Sequence, residues 1–204
     1  MKKILETKTA PNPRRVRIFM AEKGIEVPFE EIDLMKGELK TPEFTRINPF
    51  QRVPVLILDD GTAISETMAI CRYAEEIKPE PALFGQTPQG KAQVEMWNRR
   101  MELGLLLSVA QAFRHLHPAM AHLEVPQVKD WGEANKPRAL ETLSFMDQEL
   151  AGRPFIAGND FTVADITALV AVDFMRAARI QRPPEMTNVE RWHKEVSARP
   201  SAKA

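Results

Sequence analysis

A chain of 204 residues, 44% of them hydrophobic, can bury one large core or two modest ones. Lys plus Arg and Asp plus Glu each number 28, so the long-range pull that draws proteins to polyanions is missing, which argues against a nucleic-acid partner. The single cysteine, Cys71, excludes an internal disulfide, a Cys-x-x-Cys redox pair and a multi-cysteine zinc site, so any thiol chemistry must use a thiol from outside the chain.

The apolar stretch behind Lys2 and Lys3 is only Ile4 and Leu5, too short for a signal peptide or a spanning helix. The expected location is the cytoplasm, with no membrane partner. Lys3 to Thr7 reads as a short strand, after which Val16, Phe19, Met20 and Lys23 switch to helical spacing. Pro13 suits the first turn of that helix and Gly24 its end. Pro28 to Asp33 is a second strand candidate. Val53 to Leu58 is a continuous apolar run closed by Asp59-Asp60-Gly61, a turn from which Thr62 to Ile64 can return antiparallel. Ser65 opens a helix over Glu66 to Ile77, with Met68, Cys71 and Tyr73 set among polar residues. The order is β-α-β, then β-β-α.

Pro79, Pro81 and Pro88 with Gly85 and Gly90 then block both helix and ladder, which marks a connector. The predicted domains are 1–80, α/β, and 86–204, all-helical. In the second, Lys91 to Leu116, Pro137 to Leu150, Thr162 to Ala178 and Val189 to Ala198 read as helices. The run from Val163 to Val172 is apolar nearly all round, which suits a central buried helix, and Thr162 with Asp165 forms its capping pair. His115, His117 and His122 show no metal-ligand spacing, and no metal is expected. Cys71 reads as a buried, inert cysteine.

Three segments carry more than a generic outline: Ala10-Pro11-Asn12-Pro13-Arg14-Arg15-Val16-Arg17-Ile18, Asn48-Pro49-Phe50-Gln51-Arg52-Val53-Pro54-Val55-Leu56, and Ile64-Ser65-Glu66-Thr67-Met68-Ala69-Ile70. Together they resemble the glutathione site of the cytosolic glutathione S-transferases. Phe161-Thr162-Val163-Ala164-Asp165-Ile166 resembles that family's capping motif, and the order of all four matches along essentially the whole chain. The resemblance implies a thioredoxin-like βαβ-ββα domain followed by an all-helical domain, glutathione as co-substrate, and a cytoplasmic homodimer.

By resemblance, Val53-Pro54 holds a cis proline, so that Val53 exchanges backbone hydrogen bonds with the cysteinyl part of glutathione. Ser65 and Glu66 grip the γ-glutamyl end, the helix start and the Ser65 hydroxyl taking its carboxylate and Glu66 its ammonium group. Read on their own, Ser65 is a simple cap and Glu66 a favourable first-turn residue. Arg52, Gln51 and Lys40 are candidates for the glycyl carboxylate, and the backbone of Ala10 and Pro11 belongs to the same site. Met101, Leu105, Ser108 and Gln111 are candidates for the wall of an electrophile pocket, against the plain alternative that apolar residues on a helix are core.

Conjugation needs a donor beside the glutathione sulfur, because hydrogen bonds to the thiolate lower the thiol pKa. Serine-type members place a hydroxyl just before a proline at the start of the first helix, and here that position is Ala10, which has no donor. Three substitutes are visible. Asn12 has an amide, and Pro11-Asn12 resembles the Nu-class Thr-Pro-Asn pattern; Thr9, with Thr7, has a hydroxyl; and the helix start has free N–H groups. Asn12 is the primary assignment, with the plain alternative that it shapes the turn before Pro13. Arg14, Arg15 and Arg17 sit at the helix start, where they either raise the local potential or pair with acids elsewhere.

The implied activity is glutathione transfer to small hydrophobic electrophiles. Glutathione-dependent disulfide or peroxide reduction is an alternative prompted by Pro11-Asn12. A non-catalytic ligand-binding or interaction protein of the same fold is another, prompted by Ala10.

Overall fold

In the computed structural model, which describes residues 1–204, the backbone divides into two compact units: Met1–Ala82 with Lys203–Ala204, and Leu83–Ala202.

The first unit contains β1 (Lys3–Glu6), α1 (Pro11–Lys23), β2 (Phe29–Glu31), α2 (Pro42–Ile47), β3 (Val55–Ile57), β4 (Ala63–Ser65) and α3 (Thr67–Ile77). The sheet order is β2-β1-β3-β4, with β1 and β2 parallel and the other pairs antiparallel. Val55, Leu56 and Ile57 are all buried, so an unbroken apolar triplet makes a central strand. Leu5, Phe44, Val55 and Ile57 form a cluster on which Ile32, Leu39 and Val53 pack. Gly24 ends α1 in the left-handed region at φ 56, where glycine carries no Cβ penalty, and the Ile25 N–H returns to the Met20 carbonyl at 2.9 Å.

The strands are shorter than their apolar patterns. Thr7 falls outside β1, and its Oγ1 donates to the Ile32 carbonyl at 2.7 Å. The second strand keeps only three residues of the Pro28-to-Asp33 stretch. Helix α2 was not anticipated: Thr41 caps it by accepting from the Phe44 N–H at 3.2 Å, and Pro42 takes the first helical position.

The second unit contains α4 (Pro88–Arg100), a π-helical stretch (Met101–Leu106), α5 (Leu107–Leu116), α6 (Lys129–Leu150), α7 (Val163–Phe174) and α8 (Thr187–Ser197). The helix expected over Lys91 to Leu116 is therefore one rod with a π segment in it, at Gly104, where α6 comes so close that a Cβ would lie 3.0 Å from Thr142 Cγ2. Helix α6 starts at Lys129, and Pro137 lies inside it rather than at its beginning. Residues Val163 to Ala171 are all buried, which makes α7 the centre of the unit.

The N-terminus of α7 is closed by a capping box. The Ala164 N–H donates to Thr162 Oγ1, and Asp165 accepts from the Thr162 N–H at 3.0 Å, its Oγ1–H at 3.2 Å, the Ile156 N–H at 2.9 Å and Trp192 Nε1–H at 2.9 Å. Burial still dominates: it pushes the Asp165 carboxyl up to about 6, against those hydrogen bonds.

Candidate functional site

The register of the sheet brings three segments to one end of it. Leu5 lies opposite Val55 in antiparallel pairing, and Val55 lies opposite Ser65. The exit of β1 toward α1, the Val53-Pro54 approach to β3 and the exit of β4 toward α3 are therefore neighbours at the same sheet edge. Leu5 and Val55, fifty positions apart in sequence, meet there, and Ser65 joins them because both strand pairings are antiparallel.

At the first segment, Ala10 is the N-cap of α1 with no side chain to cap it. Asn12 is exposed, and its Oδ1 accepts a hydrogen bond from the Arg15 guanidinium at 3.2 Å. Arginine has donors only, so this bond turns the Asn12 carbonyl toward Arg15 and leaves the amide Nδ2–H₂ facing away from it as a donor. Arg15 itself is only 1% exposed. Arg17 pairs with Glu6 and donates to the Lys8 carbonyl at 2.9 Å, so its charge is offset within this unit. Thr9 is exposed, whereas the Thr7 hydroxyl is committed to Ile32. The Thr7 hydroxyl is thereby removed from the list of possible donors.

At the second segment, the Val53-Pro54 peptide bond is cis. Val53 lies outside the β3 ladder, and its N–H and C=O have no hydrogen-bond partner in the chain. Asn48, 2% exposed, shapes the loop: Nδ2 donates to the Arg52 carbonyl at 2.8 Å and Oδ1 accepts from the Phe50 N–H at 3.1 Å. Its sequence signal was the Asn-Pro pair, and its positioning role is visible only in the folded loop. Gln51 has φ 53 and donates from Nε2 to Thr45 Oγ1 at 3.0 Å. Arg52 and Lys40 are exposed, and neither makes an ion pair.

At the third segment, Ser65 ends β4 and Glu66 stands at the N-cap position of α3 with φ 72 and ψ 123 and no side-chain cap bond. A non-glycine residue held there stores backbone strain of about 1–3 kcal/mol. Glu66 is exposed, the start of α3 has no side-chain cap, and both follow Ser65, which lies opposite Val55 at the same end of the sheet as Val53.

The four residues expected on an electrophile pocket divide. Met101 and Leu105 are fully buried in the helical core and offer no surface to a ligand; Ser108 is buried too. Gln111 is half-buried, and its Oε1 accepts from Trp131 Nε1–H at 3.0 Å. Elsewhere, Asp173 Oδ1 and Ser197 Oγ approach His193 at the same Nε2, at 2.7 and 3.5 Å, so the imidazole cannot relay a proton between them through its two nitrogens.

Comparison with known proteins agrees along the whole chain. The profile of the glutathione S-transferase N-terminal domain matches residues 9–77 and that of the C-terminal domain residues 96–200. Glutathione S-transferase 2 of Saccharomyces cerevisiae is 40% identical over 203 residues, covering 98% of this chain and 87% of the relative. The crystal structure of Gtt2 from Saccharomyces cerevisiae superposes with a TM-score of 0.94 at 40% identity, covering 98% of both chains. A glutathione S-transferase domain-containing protein of Marinobacter aquaeolei gives 0.95 at 40% identity, again over 98% of both.

Proposed function

The chain belongs to the glutathione S-transferase family, and from that premise we propose that it binds glutathione at the sheet edge of its first unit and activates the thiol through Asn12. The extended cysteinyl backbone pairs with the free N–H and C=O of Val53. The γ-glutamyl carboxylate sits on the uncapped start of α3 with the Ser65 hydroxyl, and the Glu66 carboxylate takes the α-ammonium group. Arg52 and Lys40, both without an ion-pair partner, hold the glycyl carboxylate, with Gln51 as a further polar contact. The backbone of Ala10 and Pro11 closes the site beside the sulfur.

The carrying observation is the Arg15 to Asn12 bond, which commits the amide oxygen and frees the amide donor. The thiol proton leaves to solvent, and Nδ2–H₂ stabilises the thiolate, helped by the N-terminal dipole of α1. The thiolate then forms a carbon–sulfur bond with a small hydrophobic electrophile; either a leaving group departs with the bonding pair, or the π pair of a double bond moves onto the neighbouring atoms, which take a proton from solvent. Thr9 is the second donor candidate. Of the candidates named for an electrophile pocket, Gln111 is the one that retains open surface. The working form is a homodimer.

Ultraviolet titration of the bound glutathione thiolate in the wild type and in Asn12→Ala tests this reading. A thiolate pKa well below that of free glutathione, rising in Asn12→Ala, is the expected result. An identical titration in both proteins moves the role to Thr9 or the helix start.

A further inference from the structure

A cavity of about 390 Å³ opens within the helical unit, between the last turn of α5, the first turns of α6 and the turn that follows α7. That volume lies in the range of small-molecule sites, and none of Met101, Leu105, Ser108 and Gln111 lines it.

Its charge is one-sided. Lys129, Lys136 and Arg179 stand on the wall against a single acid, Glu133, which is already paired with Lys136 at 3.0 Å. Lys129 and Arg179 make no ion pair. His117 adds a donor: its Nδ1 accepts the Ala119 N–H at 3.2 Å, so the neutral ring carries its hydrogen on Nε2.

The rest of the lining is mixed: His115 and Gln127 are polar, Gln127 Nε2 already donating to the Arg114 and His117 carbonyls, while Phe113 and Leu116 give it an apolar, packed face. Phe113 stacks on the His117 ring with centroids 4.8 Å apart and leans on Phe174 at 5.0 Å. Leu116 is held against α6, where a Cβ on Gly132 would come within 2.6 Å of its Cγ.

Arg179 also stands on unusual backbone. The turn after α7 puts it in the left-handed region at φ 54, with its N–H on the Arg176 carbonyl at 3.2 Å and the Ile180 N–H on the Met175 carbonyl at 2.9 Å. Glycine takes that conformation without steric cost, so ending the helix does not by itself call for an arginine. An unpaired cation held at a strained position on a cavity wall is an arrangement suited to an anion.

We propose that this cavity binds a small aromatic carboxylate, its ring against Phe113 and Leu116 and its charge between Lys129 and Arg179. The site lies wholly in the helical unit and needs nothing from the glutathione edge.

The test is calorimetric titration of 2-naphthoate into the full chain with the glutathione site saturated by S-hexylglutathione. The expected result is binding at one probe per chain, at least about tenfold weaker for neutral 2-naphthylmethanol and for Arg179→Gly, and weaker again for Lys129→Gln with Arg179→Gly. Arg179→Gly keeps the left-handed turn, and thermal unfolding that is unchanged or raised shows that the loss is not one of folding. No binding at millimolar probe, displacement by S-hexylglutathione, or undiminished affinity in the double variant overturns the proposal.

Discussion

The Arg15 guanidinium donates to Asn12 Oδ1 at 3.2 Å, one helical turn away, and this bond decides which end of the Asn12 amide is presented to solvent. The arginine is buried and the asparagine exposed, so a residue that a ligand cannot reach orients one that it can. With alanine at the N-cap, the donor of this helix start is set from within the helix rather than at its cap.

Asn12→Ala removes one hydrogen bond to a charged sulfur, worth about 1.5–3 kcal/mol, so kcat/KM for conjugation is expected to fall roughly 10- to 100-fold. Glutathione affinity, measured by calorimetry at a pH below the titration of the bound thiol, stays close to wild type because Val53, Ser65 and Glu66 are untouched. Arg15→Lys shifts the thiolate titration in the same direction by freeing the Asn12 amide to rotate. A wild-type titration in Arg15→Lys contradicts the orienting role.

Glu66→Gly separates stability from binding. Glycine relieves the backbone at φ 72, so chemical denaturation should show stability unchanged or raised by about 1 kcal/mol. Loss of the carboxylate that meets the α-ammonium group lowers glutathione affinity about tenfold or more. Loss of both together would mean that the conformation is no burden and Glu66 is structural.

The Asp165 carboxyl, held at about 6 in the folded protein against 3.8 for the free group, makes the folded state bind more protons than the unfolded one between those values. Stability from this group is therefore greatest below about 4 and is lost as pH rises through 6, by an amount on the order of 3 kcal/mol. The deficit of Asp165→Asn relative to wild type, followed by denaturation across pH, should accordingly be larger at pH about 4 than at about 7. A deficit that grows with pH would show that the four donors outweigh burial.

Close packing at two glycines predicts opposite results from a third. At Gly85, φ is +84 and a Cβ would lie 2.8–2.9 Å from the backbone of Gly90 and Lys91, so Gly85→Ala should cost about 3 kcal/mol. Gly132→Ala meets Leu116 and should cost about 1–3 kcal/mol by parting α5 from α6. Gly152→Ala meets nothing within 4 Å and should be neutral or slightly stabilising in the same thermal scans.

Much of the architecture was legible because its signals are local. The apolar triplet of β3, the prolines opening α1, and Thr162 with Asp165 before the apolar run of α7 each act on neighbouring backbone. Helix α2 escaped because its six residues carry too little periodicity to stand out. The beginning of α6 was misplaced because Pro137, a good first-turn residue, is tolerated on its exposed side within a helix otherwise held by packing.

The amino-acid sequence by itself determined the family, the two-part α/β and helical plan, and the three segments proposed to carry the glutathione site, since each rests on residue types at short spacing. Only the tertiary structure decided that Asn12 offers its amide rather than its carbonyl and that the Thr7 hydroxyl is spent on Ile32. It also decided that Met101 and Leu105 belong to the core and that Arg179 and Lys129 line one cavity. Most of these depend on partners far along the chain, and even Asn12's amide is turned only once α1 has formed and Arg15 is buried. A short stretch of sequence specifies its own backbone well and its distant neighbours hardly at all.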